Sequence, residues 1–258
     1  MTMDYKKLSK IFDDLFPILR SITGPGFKKS LKILSKYIDL KIIKYKSGKK
    51  IFDWVVPNEW YFYEGYISNL KRKKVIDVKN NNLHILNFST AVDKKISLDK
   101  LQKHLYTAPR YPDSIPYSTS YYKKNWGFCV AYNQYKKLKD KFYYVKINSK
   151  FKKGHLINGL STIKGRSKKI NLISSYLCHP SMANNELSGP LVLLGLFNKI
   201  KKWKNHNYTY KFLINPETIG SLCFIHSEKN NLIKYLNSGL VLTCLGGPKK
   251  NCHIKNQE

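Results

Sequence analysis

The run Tyr176-Leu-Cys-His-Pro-Ser-Met-Ala-Asn-Asn-Glu-Leu-Ser-Gly189 puts a histidine at the end of an apolar stretch and a polar, acid-containing turn just ahead of another. A second copy of the layout follows. Residues 208–214 read as a strand, Asn215-Pro-Glu-Thr-Ile-Gly-Ser221 as its turn, and Leu222 onward as a helix. A catalytic zinc takes about three protein ligands from His, Asp and Glu and keeps one position for water. A free carboxylate nearby then accepts that water's proton. His179 and Glu186 are candidate ligands in this chemistry, and Glu217 is the candidate base. Taken singly, each has a plainer role: a strand-end histidine is often a hydrogen-bonded core residue, and Asn-Asn-Glu is an ordinary helix start that suits the helix dipole. Their recurrence at two successive turns is what points to a site.

Two elements must bring these residues together. If 170–178 and 208–214 are strands of one parallel sheet, their carboxyl ends share a rim, where open α/β sheets bind ligands. Residues 142–147 and 240–245 read as further strands of that sheet, and the segments between the last three strands are long enough for helical crossovers. Leu191, Leu194, Phe197, Ile200 and Trp203 give the first crossover an apolar stripe. The expected fold is α/β, a three-layer α/β/α sandwich.

Upstream, Leu8, Ile11, Phe12, Leu15 and Phe16 keep helical spacing, and Leu31, Ile33, Leu34, Tyr37 and Ile38 resume it. Ser21-Ile-Thr-Gly-Pro-Gly26 breaks the pattern between them. From about 49 the texture turns to short β-rich runs at 51–56, 60–67, 74–78 and 83–88, followed by a short helix at 97–105 and a proline-rich passage from Ala108 to Pro116. We therefore expect a small inserted α+β domain at 49–128, with 1–48 and 129–258 forming the core.

With 42% hydrophobic and 14% aromatic residues among 258, the chain can bury a full core. No apolar run is long enough for a membrane span and the first residues lack a signal peptide's apolar centre, so a cytoplasmic location is expected. The cysteines, at 129, 178, 223, 244 and 252, are odd in number and contain no C-x-x-C, which argues for free thiols. A formal charge of +31 invites a polyanion partner. The excess is nearly all lysine, spread in pairs along the chain, with arginine only at 20, 72, 110 and 166. Recognition of phosphates and bases favours arginine, so the charge reads as solvated surface and a nucleic-acid partner is not expected.

Ser21-Ile-Thr-Gly24, Phe52-Asp-Trp54 with Val56-Pro57, the tyrosine-rich 117–122, Trp126-Gly-Phe-Cys129, Cys178 to Pro190 and Pro216 to Ser221 are similar to motifs of a bacterial aminopeptidase-like family. That family is related to the di-zinc aminopeptidases, carries a small α+β insert and a C-terminal winged helix, and is associated with surface-polysaccharide biosynthesis genes. The resemblance covers nearly all of the chain up to about 246. It implies a zinc-dependent amide or peptide hydrolase acting on a peptide or an acylamino sugar, and the chain reads as C-terminally truncated beside the family. Carried over residue by residue, it keeps His179 as a ligand but puts Ser181 where the relatives have an aspartate. The metal-bridging aspartate falls on Asn185, with Glu186 next to it, and the Glu-Glu pair of base and ligand falls on Glu217 and Thr218. His253, in a polar tail, is a weak further candidate. The implied metal set is thus His179, Asn185 and Glu186, with Glu217 catalytic and at most one zinc ion. A non-catalytic ligand-binding or scaffold protein on the same fold is the alternative, and a polyanion-binding protein the third.

Overall fold

The computed structural model describes residues 4–246. The chain divides into two compact units, one of residues 4–58 with 154–246 and one of Glu59–Lys153.

In the first unit, α1 (Tyr5–Leu15) and α2 (Pro25–Leu34) lead into β1 (Lys41–Lys46) and a small hairpin of β2 (Lys50–Ile51) and β3 (Trp54–Val55). The second unit holds β4 (Glu59–Ser68), β5 (Lys74–Asp77), β6 (Val92–Ser97), α3 (Leu98–Gln102), β7 (Leu105–Tyr106), β8 (Phe128–Cys129), α4 (Tyr132–Tyr135) and β9 (Phe142–Lys152). The chain then returns to the first unit as β10 (His155–Ile163), β11 (Ile170–Tyr176), a π-helical turn at Ala183–Leu187, α5 (Ser188–Lys201), β12 (Thr209–Asn215), α6 (Ile219–Tyr235) and β13 (Leu236–Val241).

The first unit is built on a five-stranded sheet of order β1-β10-β12-β11-β13. β11 runs parallel to both β12 and β13, while β10 is antiparallel to β12 and β1 antiparallel to β10. Alternate residues of β12 show the layering. Phe212 points to one face, where its ring meets Phe197 of α5 at 5.3 Å. Leu213 points to the other, where it clusters with Leu160, Phe224 and Leu232, the last two from α6. Helices on both faces of one sheet make the three-layer sandwich. Across it, the Lys211 ammonium meets the Glu228 carboxylate at 2.5 Å, and Asn231 also donates to Glu228. Burial works upward on the Glu228 pKa, but these two donors outweigh it and hold it below the ordinary value. A depressed folded pKa adds stability that is present above the unfolded value and lost as pH falls through the folded one. Glu228→Gln is therefore expected to lower stability at pH 7 by about 1 kcal/mol or less, the scale of partly exposed ion pairs. The difference from wild type should close on acidification below about pH 4, as urea unfolding at both pH values would show.

The second unit is an antiparallel sheet of order β5-β4-β9-β6 over a core that includes Trp60, Ile67, Tyr143, Val145 and Ile147. Its boundaries differ from the expected 49–128. The β2-β3 hairpin at 50–55 stays with the first unit, and 142–147 lies in β9 between β4 and β6 rather than in the main sheet. The burial pattern of β9 gives the physical reason: Tyr143, Val145, Ile147 and Ser149 are buried while their neighbours are not. That alternation belongs to an antiparallel sheet with one open face, whereas a central parallel strand is apolar on both. β13 also begins four residues earlier than the expected 240, directly at the end of α6.

Candidate active site at the carboxyl ends of two parallel strands

β11 and β12 are paired in register through Tyr176 and Asn215, so both chains leave the sheet at the same rim. Leu177 still donates its N–H to Asn215 O, which extends the pairing by one residue into the turn. His179 and Glu217 follow within a few residues of that point. The His179 Nε2 atom lies 3.1 Å from Glu217 Oε2. On the other side of the ring, Nδ1 lies 3.2 Å from Asn185 Oδ1 and 3.1 Å from Glu186 Oε2. The structure thus brings together all four residues singled out in the sequence.

Local chemistry explains the arrangement. The π-helical turn at Ala183–Leu187 precedes α5, and such turns widen the helix and cluster at functional sites. Here it lets two consecutive residues, Asn185 and Glu186, reach the same ring nitrogen. Glu186 is fully buried, and its Oε1 accepts the main-chain N–H groups of Cys178 and His179, the latter at 2.6 Å. Its Oε2 is buried without a hydrogen bond in line. Glu217 is the exposed member, with 46% of its side chain open to solvent. Both turns contain a non-glycine residue with positive φ, Ser181 at 50° and Thr218 at 58°. Strain of this kind gathers at functional sites.

The hydrogen-bond pattern fixes the ring. An amide oxygen only accepts, and Asn185 Oδ1 also receives the Tyr176 hydroxyl at 3.3 Å, so His179 Nδ1 is the donor. In neutral histidine, Nε2 then presents a lone pair to the Glu217 oxygen. Two acceptors 3.1 Å apart need a proton or a cation between them. For the proton, burial works to lower the His179 pKa, but Glu186, Glu217 and Asn185 outweigh it and hold it above the ordinary value. A cation fits as well, because ligands of a tetrahedral zinc with bonds of about 2.0–2.1 Å sit roughly 3.3 Å apart.

Other neighbours are tuned by burial. The Tyr176 phenol, bonded to Thr243 at 2.5 Å, is pushed up to about 12. The Cys178 thiol is pushed well above its ordinary value by full burial and by the Glu186 carboxylate, and its Sγ accepts the Glu217 N–H at 3.3 Å. Cys178, His179 and Glu186 form the group of potential ligands found among the described residues, with ligand atoms within 4.8 Å of one another. Thr218 serves as the N-cap position of α6, and His253 lies outside the described residues.

Two further residues belong to the site. Cys178, one of five scattered cysteines in the sequence, stands next to His179. Arg20 lies 159 residues from His179 in the chain and carries no local sign of a role at the rim. It is fully buried, and it donates from Nε and Nη2 to His179 O at 3.0 and 2.8 Å and from Nη1 to Leu15 O at 2.6 Å.

The start of α5 is closely fitted. A Cβ on Gly189 would lie 2.2 Å from Leu242 O and 2.3 Å from Ser175 Oγ. Gly189→Ala is expected to lower stability by about 1–3 kcal/mol through overpacking. Helix propensity alone would raise it by up to about 1 kcal/mol, so the sign of the shift in the thermal midpoint decides between them.

The family model described as Domain of unknown function (DUF4910) matches residues 9–258. A curated protein of Clostridium acetobutylicum, "Putative polysaccharide biosynthesis protein with aminopeptidase-like domain", is 43% identical over 240 residues, which cover 93% of this chain and 55% of the relative. A crystal structure of a "putative peptidase" from Clostridium acetobutylicum aligns with a TM-score of 0.90 at 42% identity, covering 94% of this chain and 57% of the other. The chain thus spans a little over half the length of these relatives. A zinc aminopeptidase from Bacillus subtilis aligns with a TM-score of 0.62 at 11% identity, covering 93% of this chain and 69% of the other, a likeness of fold alone. On the rim geometry, the sandwich and the match over residues 9–258, the chain belongs to the DUF4910 family and is an aminopeptidase-like protein.

Proposed function

We propose that the rim is the core of a zinc-dependent site of the kind that hydrolyses an amide in a peptide or an acylamino sugar, impaired in this chain and holding at most one ion. The observation that supports this best is the facing pair of acceptors, His179 Nε2 and Glu217 Oε2, 3.1 Å apart on one rim. His179 would hold the ion through Nε2, with Asn185 and Glu186 behind the ring at Nδ1, where such partners fix a ligating histidine's orientation. A bound zinc would polarise a substrate carbonyl and acidify a water.

The chain's own groups do the rest. Oε2 of Glu217 faces His179 Nε2, and the other oxygen of this carboxylate, on a side chain half open to solvent, would accept the water's proton. Asn185 Oδ1 holds the ring proton on Nδ1 and so keeps the Nε2 lone pair toward Glu217. Leu177 and Cys178, both fully buried, close the floor against bulk water.

A role in polysaccharide biosynthesis rests on the name of the Clostridium acetobutylicum relative. A cytoplasmic setting is part of the proposal: among the described residues Cys129, Cys178, Cys223 and Cys244 are free thiols, and no helix is long and apolar enough to cross a membrane. The neutral Asn185 and Thr218, at positions where the resemblance implies acidic ligands, favour a second reading as a non-catalytic ligand-binding protein. Zinc titration of the wild type, His179→Ala and Glu217→Gln separates the two. Hydrolysis predicts saturable zinc binding, lost with His179→Ala and weakened about 10-fold or more by Glu217→Gln. Equal zinc affinity in all three proteins would overturn the proposal.

A further inference from the structure

The helix break at Ser21–Gly26 has no part in the chemistry proposed above, yet it is built with care. Gly24 is the N-cap of α2 with φ of 93°, and Pro25 occupies the first helical position. A Cβ on Gly26 would lie 2.0 Å from Leu19 O and 3.0 Å from Arg20 Cα. The glycine therefore lets the first turn of α2 back directly onto residues 19 and 20. Thr23 Oγ1 donates to Asn58 O at 3.0 Å and secures the same loop. The result is a fixed backbone at Arg20, whose side chain is fully buried.

We propose that Arg20 is a positioning residue for His179, gripping the histidine's own carbonyl from beneath the rim. Nε and Nη2 both donate to His179 O, at 3.0 and 2.8 Å. Glu186 Oε1 takes the His179 N–H at 2.6 Å. The two main-chain polar groups of His179 are thus held by side chains of opposite charge, one from each side. The next residue is proline, which has no N–H and biases His179 toward an extended backbone. Ser181 Oγ reaches Phe16 O at 3.3 Å, so the turn also docks on the end of α1. Two donors from one planar guanidinium hold an oxygen in direction as well as distance. A lysine offers a flexible point charge instead.

A purely structural arginine would cap the carboxyl end of α1 through Leu15 O, its 2.6 Å partner, and leave the histidine indifferent. The two roles make different predictions. This inference rests on the reading of His179 as the working group of the rim, so its test needs a readout that does not depend on metal.

The full chain, labelled with 15N-histidine, is examined by long-range 1H–15N correlation of the His179 ring, assigned with His179→Gln, and by zinc titration. In Arg20→Ala the His179 signals should shift and broaden, and zinc affinity should fall about 10-fold or more, the range for partners behind a ligating histidine. Guanidinium at about 10–50 mM, far below the molar concentrations that unfold proteins, should restore both, and ammonium should not. A folded Arg20→Ala with wild-type ring signals and unchanged zinc affinity would overturn the proposal. If Arg20→Ala does not fold, Arg20→Lys, which keeps the charge and loses the paired donors, is read the same way: displaced ring signals support it and wild-type signals overturn it. A wild type that binds no zinc would sink the metal reading, and the ring signals would still decide the role of Arg20.

Discussion

Glu186→Ala is expected to destabilise the protein by about 3–5 kcal/mol, the range seen when one partner of a buried charged set is removed. The carboxylate is fully buried and accepts the main-chain N–H groups of both Cys178 and His179. Without it, two donors remain in a site closed to water, and each unpaired buried group costs about 1–3 kcal/mol. Arg20 would still hold the His179 carbonyl, but the N–H of the same residue would lose its partner. Glu186→Gln keeps an acceptor oxygen and should cost less than the alanine. Urea unfolding at pH 7 checks both. A loss within about 1 kcal/mol for Glu186→Ala would mean that the turn is held by other contacts.

Which parts of this arrangement were legible in the sequence follows from where each signal is stored. The strands β11 and β12 were visible because each carries a short apolar run, Leu172-Ile173 and Phe212-Leu213-Ile214, shortly before a turn. Their turns were visible because chemistry-bearing residues recur after each run. The run 142–147 reads as a strand of the main sheet, but Tyr143, Val145 and Ile147 alternate with less buried neighbours, which suits the antiparallel sheet where β9 lies. β1 was hidden by its lysines, which occupy an edge strand where charge blunts further pairing. Arg20 was illegible for a different reason. Its partner is a main-chain carbonyl 159 residues away, and a carbonyl leaves no trace in residue identity. The same holds for Glu186, whose identity suggested a ligand while its Oε1 is occupied by main-chain N–H groups.

The larger expectation concerns metal and turnover. A two-zinc cluster brings four positive charges, and the bridging and terminal positions implied by the resemblance are occupied by the neutral Asn185 and Thr218. Glu186 and Glu217 are the carboxylates within 3.1 Å of His179, and Oε1 of Glu186 is already committed to the backbone. With so few donors among the described residues, one ion should bind with a Kd no tighter than about 1 μM, or about 8 kcal/mol. Structural zinc sites reach about 10–16 kcal/mol. A site whose facing donors among the described residues are His179 Nε2 and Glu217 Oε2 also leaves its water less well placed, so aminopeptidase turnover should be near the uncatalysed background.

The most direct measurement is zinc content per chain, by elemental analysis after equilibration with excess zinc and removal of the unbound metal, alongside a leucyl-anilide assay in the same zinc. No more than one ion per chain and little or no turnover are expected. Two zinc ions per chain, with turnover abolished by Glu217→Gln, would contradict the one-ion site.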